Sequence, residues 1–232
     1  MCIRDRYSMS KSEGKLMNMK SFAKGYNIYK LIWIFFICSF LGAIIEIVFC
    51  YLTMGKLMSR SSLIYGQFSI VWGLGCVLLT MLLHKMEGQR DLSVFIVGSL
   101  AGGIYEYACS LIAEGLFGVR FWDYSDIPFN VDGRINLLFC FFWGLIAVIW
   151  IQNIYPFLSR RIEELPVRWG KQLTWVLSVF MAYNIAISGL ALIRAYQRQQ
   201  HIPPQSFVSE YLDEQFPDDY IAKRYQNILP KK

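Results

Sequence analysis

Five stretches of this chain are each long and apolar enough to cross a lipid bilayer, and this limits the fold more than any other feature. A spanning helix needs about 20 mainly apolar residues, because a rise of roughly 1.5 Å per residue must cover about 30 Å of hydrocarbon. The stretches run Ile28–Tyr51, Ile64–Leu83, Leu92–Leu116, Ile135–Leu158 and Leu173–Ile193. None alternates strictly between apolar and polar residues, as a lipid-facing barrel strand must, so helices are expected. The predicted fold is an all-α, polytopic membrane bundle of about five spans.

Composition narrows the function. Charged residues make up 17% of the chain and hydrophobic ones 55%, with a mean hydropathy of +0.36. Soluble domains carry about a quarter charged residues, so a soluble enzyme, a disordered chain and a fibre are all disfavoured. The six cysteines include no CxxC pair. Cys38, Cys50, Cys76, Cys109 and Cys140 are spread through the spans and read as small apolar fillers. His84 and His201 are the only histidines, too few for a zinc site or imidazole chemistry. There is no P-loop, HExxH or GxSxG motif. We therefore expect no catalytic residue, no metal and no cofactor. The net charge of +6 comes from basic residues flanking apolar runs, which fits membrane orientation rather than a nucleic-acid partner.

Counting Lys and Arg sets the expected topology. With the N-terminus inside, thirteen fall in the N-terminal tail, counted through Lys30 at the start of the first span, and the loops at 84–91 and 159–172, against four in the outer loops (Lys56, Arg60, Arg120, Arg134). The remaining six follow the fifth span, Arg194 at its end and five in the C-terminal tail with Glu210, Asp213, Glu214, Asp218 and Asp219. Bias in short loops dominates orientation, so an inside N-terminus and an outside C-terminus are expected. The chain divides into a polar basic tail (1–27), a four-span membrane unit (28–158), an inside loop with the fifth span (159–196) and a soluble C-terminal tail (197–232). The opening MCIRDR reads as translated adapter sequence, which would put the native start at Met9, Met17 or Met19.

The third span repeats the first at an offset of sixty residues. Gly42-Ala43-Ile44-Ile45-Glu46 aligns with Gly102-Gly103-Ile104-Tyr105-Glu106, and Gly55 with Gly115. After a longer second loop, Arg60 and Leu63 parallel Arg134 and Leu137, then Trp72-Gly73-Leu74 parallels Trp143-Gly144-Leu145. This order suggests tandem duplication of a helix hairpin. Because each unit holds two spans, both copies would enter the membrane the same way up.

Glu46 and Glu106 are the charged groups deepest in the spans. A charge at mid-membrane costs roughly 2.5–3.5 kcal/mol on insertion scales, so it faces protein or water. Two roles stay open. Each glutamate could pair with its loop arginine, Arg60 or Arg134, or both could line a polar cavity and bind a cation, a proton or a basic group. The loop from Phe121 to Arg134 is the densest polar segment. Trp122, Tyr124, Ser125, Pro128 and Gly133 read as turn structure, while Asp123, Asn130 and Arg134 are candidates for a solute or headgroup site at the outer mouth. An enzyme using Asp123 or Glu106 as base would lack a nucleophile or metal set. In the fifth span, Asn184 and Ser188 share a face and should hydrogen-bond a neighbouring helix.

Phe40-Leu41-Gly42 with Glu46, Arg60 with Tyr65-Gly66, Glu106-Tyr107, Trp122-Asp123-Tyr124-Ser125, Pro128-Phe129-Asn130, Gly133-Arg134-Ile135 and Phe142-Trp143-Gly144 resemble the family called Putative ABC-transporter type IV (CmpB-like). The resemblance covers residues 33–158, and its most specific part runs from Trp122 to Arg134. It implies a multi-pass permease-like subunit of the bacterial cytoplasmic membrane that works with a separate ATPase. The chain lacks an EAA-type coupling motif and its inside loops are short, so ATPase docking would fall to Arg160, Arg161, Glu163 and Glu164. Beyond membrane lipid, a homo- or hetero-oligomer is expected, since five spans are few for a lone transporter. The alternative function is a non-transporting scaffold or assembly protein that binds a partner through its outer loop or tail.

Overall fold

The computed structural model describes residues 21–226 and the backbone of residues 229–230. The expected start sites at Met9, Met17 and Met19 lie outside the described residues. About 70% of the described chain is helical. α1 spans Ile28–Met54, α2 Ile70–Leu83 and α3 Asp91–Phe117. α4 (Leu137–Ile149) runs through one π turn (Trp150–Ile154) into α5 (Tyr155–Glu163), and α6 covers Val167–Gln199. Two short helices, α7 (Phe207–Gln215) and α8 (Asp218–Arg224), form the tail. The strands are two-residue pairs: β2 (Asn130–Val131) with β3 (Ile135–Asn136), and β1 (Val119–Arg120) with β4 (Leu229–Pro230), both antiparallel.

Four of these helices are long and apolar enough to cross a membrane: Ile28–Met54, Asp91–Phe117, Leu137–Glu163 and Val167–Gln199. The stretch expected as a second span is helical only from Ile70, for 14 residues, or about 21 Å. Residues 61–69 instead form a non-helical segment that is nevertheless packed, with Leu63 1% and Ile64 4% exposed. Gly66 takes a left-handed turn at φ 72°, and the Ser61 hydroxyl bonds the carbonyls of Leu63 (2.9 Å) and Phe68 (3.1 Å).

Local chemistry sets the helix ends. The Asn27 side chain accepts from Lys30 N–H at the start of α1 (3.1 Å), and Asn136 from Leu138 N–H at the start of α4 (2.7 Å), as N-caps do. α1 and α3 each end on a left-handed glycine, Gly55 (φ 67°) and Gly118 (φ 64°). The sequence alignment paired Gly55 with Gly115, but Gly115 lies inside α3. The π turn directly precedes Pro156, whose missing N–H and ring disrupt the regular ladder one turn back.

The helices pack as two antiparallel pairs, α1 with α2 and α3 with α4. Small residues allow the close approach. A Cβ on Gly42 would fall on the Trp72 indole, and one on Gly102 on that of Trp143. Gly73 likewise faces Ser39 and Phe35, and Gly144 faces Ser99 and Phe95. Between the pairs, Trp72 and Trp143 lie 6.2 Å apart and Tyr105 Oη donates to Val71 O (2.7 Å).

The bundle has two ends of different character. At the proximal end, Phe22 and Tyr29 pack with Leu83, Met86, Ile162 and Val167, and Tyr26 stacks on His84 at 4.2 Å. The distal end collects residues 55–69 and 118–136 and the tail. Leu212, Phe216, Ile221 and Tyr225 pack on Ala191, Leu192 and Ala195 of α6 and on Ile64. Arg194 bonds Asp213 (2.8 Å), and Arg198 bonds Asp213 (2.6 Å) and Asp218 (2.7 Å). The tail is therefore docked at the same end as the loops after α1 and α3.

Candidate functional site

Both glutamates sit in the distal half of their helices, and each accepts from a tryptophan of the paired helix. Trp72 Nε1 donates to Glu46 Oε1 at 2.5 Å, and Trp143 Nε1 to Glu106 Oε2 at 3.0 Å. An indole N–H in hydrocarbon needs an acceptor and a carboxylate needs donors, so each group resolves the other's cost. Since the two indoles are in contact, the glutamates belong to a single cluster across the interface between the helix pairs. Tryptophans in a membrane chain ordinarily mark the headgroup interface, and these two instead cap carboxylates. The signal that could have found the role of these tryptophans was the Trp-Gly pair that follows each glutamate, 26 residues on in the first copy and 37 in the second.

The second partners differ. Arg60 Nε donates to Glu46 Oε2 at 2.9 Å, one of the two arginine pairs considered from sequence. Glu106, 7% exposed, takes its second bond from Tyr124 Oη at 2.7 Å and makes no ion pair among the described residues. Burial and the adjacent Glu106 carboxylate push the Tyr124 hydroxyl well above the ordinary phenol range, so it remains a donor. Arg134, from the loop, meets α3 at other residues: it bonds Ser110 Oγ at 3.1 Å and Glu114 Oε2 at 2.6 Å, and Arg120 also bonds Glu114 (2.8 Å).

The other loop candidates do not reach this cluster. Asp123 Oδ1 accepts from Ser125 N–H at 2.9 Å. Asn130 bridges the turn, donating to Ile127 O (2.7 Å) and accepting from Gly133 N–H (3.0 Å). Trp122 Nε1 donates to Arg134 O (2.9 Å), while Asp132 and Gly133 adopt positive φ of 54° and 66°. Pro128 O accepts from Asn136 Nδ2 (2.6 Å). Ser125 donates to Asp123 through its hydroxyl as well. Asp123 and Asn130 thus direct these bonds at the loop's own backbone, and Tyr124 is the loop residue that bonds Glu106.

The four docking candidates also separate. Arg160, Arg161 and Glu164 are exposed, with an Arg161–Glu164 contact of 3.2 Å. Glu163 instead turns inward to the Lys30 ammonium, which is 1% exposed, and accepts from Gly25 N–H (3.1 Å). Sequence reading gave Lys30 no role, since a lysine one turn into a span looks like a flank. Asn184 and Ser188 bond the non-helical segment rather than a helix: Asn184 Oδ1 accepts from Tyr65 N–H (3.1 Å), its Nδ2 donates to Tyr65 O (2.7 Å), and Ser188 Oγ accepts from Ile64 N–H (2.8 Å).

Two shallow grooves flank α6. One is lined by Trp175, Val176, Val179, Phe180 and Tyr183, the other by Ile32, Phe35, Phe36, Leu177, Met181 and Ile185. Both are apolar, and neither includes Glu46 or Glu106.

These features define a multi-pass α-helical membrane protein with a carboxylate–indole cluster between two helix pairs. The chain belongs to the family described as Putative ABC-transporter type IV, whose model matches residues 33–189. That match runs past residue 158 and takes in most of α6, which sequence reading had left outside the resemblance. Comparison with curated proteins and with solved structures returns no match.

Proposed function

We propose that this chain is the membrane-embedded, permease-like subunit of an ABC-type transporter, placed in the bacterial cytoplasmic membrane with its N-terminus inside. The observation that carries the reading is the family match over both helix pairs, a region that includes every residue of the carboxylate–indole cluster. The matching contacts of Gly42–Trp72–Glu46 and Gly102–Trp143–Glu106 support reading the pairs as copies of one hairpin. On this reading the cluster is the closed state of a path between the copies. Arg160, Arg161 and Glu164 form the surface for a separate ATPase; Glu163, committed to Lys30, drops out of that set. Orientation is supported by Lys85, Arg90, Arg160, Arg168 and Lys171, all exposed in short proximal segments.

The test is a mild-detergent purification of the tagged chain from its native host, with mass spectrometry of what accompanies it. A stoichiometric P-loop ATPase, lost from an Arg160→Ala/Arg161→Ala variant, is expected. Reproducible recovery without any ATPase refutes the reading. A second reading, a non-transporting scaffold, is favoured by one observation: the described grooves are apolar and both glutamates are capped by donors. It requires instead a stable non-ATPase partner held by the outer loop or tail.

A further inference from the structure

Non-helical backbone at membrane depth is tolerated only where protein or a water-filled cavity surrounds it. Residues 61–69, non-helical and packed at the distal end with Leu63 and Ile64 buried, satisfy their backbone in an unusual way. Their N–H groups are taken from within the bundle: Ile64 N–H by Ser188 and Tyr65 N–H by Asn184, Leu63 and Phe68 N–H by Ser61 Oγ. Two of their carbonyls, Leu63 O and Gly66 O, point at one cation. Arg224, at the end of α8, donates from Nε to Leu63 O (2.8 Å) and from Nη2 to Gly66 O. Beside it, Tyr225 Oη approaches Ser62 O at 3.5 Å.

This arginine differs from the two arginines of α6 that hold the tail. Arg194 and Arg198 are bound to carboxylates, whereas Arg224 makes no ion pair among the described residues. Burial lowers its pKa from the ordinary guanidinium value. A partly buried cation held on main-chain oxygen is the arrangement by which broken membrane segments bind cations. The contact uses Nε and Nη2, one edge of the planar fork, so the two carbonyl positions fit a guanidinium better than a point-like ammonium.

We propose that the carbonyls of Leu63 and Gly66 form a binding site for a small guanidinium-class cation, and that Arg224 occupies it as a tethered ligand of the same chemistry. A ligand on the same chain competes at high effective concentration, so the docked tail masks the site and its release exposes it. The proposal deepens the transporter reading by naming a solute class, and rests on that reading for its physiological meaning. Binding itself needs no ATPase, so failure of either test leaves the other standing.

The experiment titrates methylguanidinium, with methylammonium as comparator, into the full chain in lipid nanodiscs and reads binding by calorimetry. Arg224→Ala should bind methylguanidinium saturably, at least about tenfold more tightly than the native chain and more tightly than it binds methylammonium. Arg224→Lys, which keeps a tethered cation, should fall between the two and serves if the alanine variant does not fold. No saturable binding to a folded variant overturns the site. Equal binding by native and variant chains overturns the masking role of Arg224 and moves the ligand elsewhere.

Discussion

Replacing Glu163 by alanine would strand the Lys30 ammonium inside the packed proximal end. Lys30 is 1% exposed and is held by the Glu163 carboxylate and by Ser159 Oγ at 2.6 Å. Removing one partner of a buried pair costs about 3–5 kcal/mol, because a charge is left uncompensated. The Glu163 side chain keeps 30% exposure and Ser159 remains as an acceptor, so the lower limit applies, about 3 kcal/mol. At roughly 2–4 °C per kcal/mol for a chain of this size, Tm should fall by about 6–12 °C. Lys30→Met should cost less, since the remaining carboxylate reaches water, and Lys30→Met/Glu163→Ala should recover most of the loss. The assay is melting at a fixed heating rate in one detergent, scored by fluorescence-detected size exclusion and read as a rank order. Arg161→Ala is the control, because its pair with Glu164 is 64% and 55% exposed and worth at most about 1 kcal/mol. Glu163→Ala melting level with that control, or a double variant worse than either single one, would refute the argument.

Three further outcomes follow from the geometry. Single cysteines placed at Lys85 or Arg168 in a cysteine-free background should resist impermeant maleimide in intact cells, while Phe129→Cys and Phe207→Cys, both 80% exposed, should react; labelling in the reverse pattern overturns the N-in orientation. Trp143→Phe deletes one of two donors to a buried carboxylate and should destabilise by about 1–3 kcal/mol, more than Trp72→Phe, where Arg60 stays on Glu46; equal losses would show that the arginine contributes nothing there. Arg194 and then Arg198 hold the Asp213 carboxyl below its ordinary value, so that contribution to tail docking is complete above about pH 3.9 and lost as pH falls through the lower native value. Proteolytic release of the tail should thus begin on the acid side of the ordinary aspartate range, and onset near pH 6 would assign docking to another group.

The long apolar helices were legible because membrane crossing imposes a length on sequence directly. Four of the five stretches meet it in the structure, and the fifth shows where hydropathy stops being informative. Ile64 to Ser69 is apolar enough to continue α2 backwards, yet Ser61, Asn184 and Ser188 offer its backbone partners that a helix would otherwise supply. Two of those three residues are more than a hundred positions away, so no local window contains the competition. Glu46 and Glu106 were legible as costly charges, but a charge states only that it has partners. Their tryptophan donors come from another helix, and Trp in a membrane sequence is also the ordinary mark of an interface. The tail's polar composition suggested a soluble segment with a short amphipathic helix; the apolar residues that dock it, Leu212 with Phe216 and Ile221 with Tyr225, stand as i, i+4 pairs, but that spacing does not say which surface they meet.

Reading the helix pairs as copies also accounts for the one place where they part. Arg60 serves Glu46, whereas Arg134 leaves Glu106 for Glu114. At the sixty-residue offset, the α1 positions matching Ser110 and Glu114 are Cys50 and Met54. α1 therefore offers its arginine no alternative, and Arg60 goes to the only carboxylate on its helix. α3 places Glu106, Ser110 and Glu114 at successive turns of one face, and Glu114 lies nearer the loop that brings in Arg120 and Arg134. Two guanidiniums on a carboxylate near the helix end cost less desolvation than one carried a further two turns into the bundle. Glu106 is then completed by Tyr124, a neutral donor from the longer second loop. The difference between the copies thus reduces to a carboxylate at position 114 and a loop long enough to return a phenol.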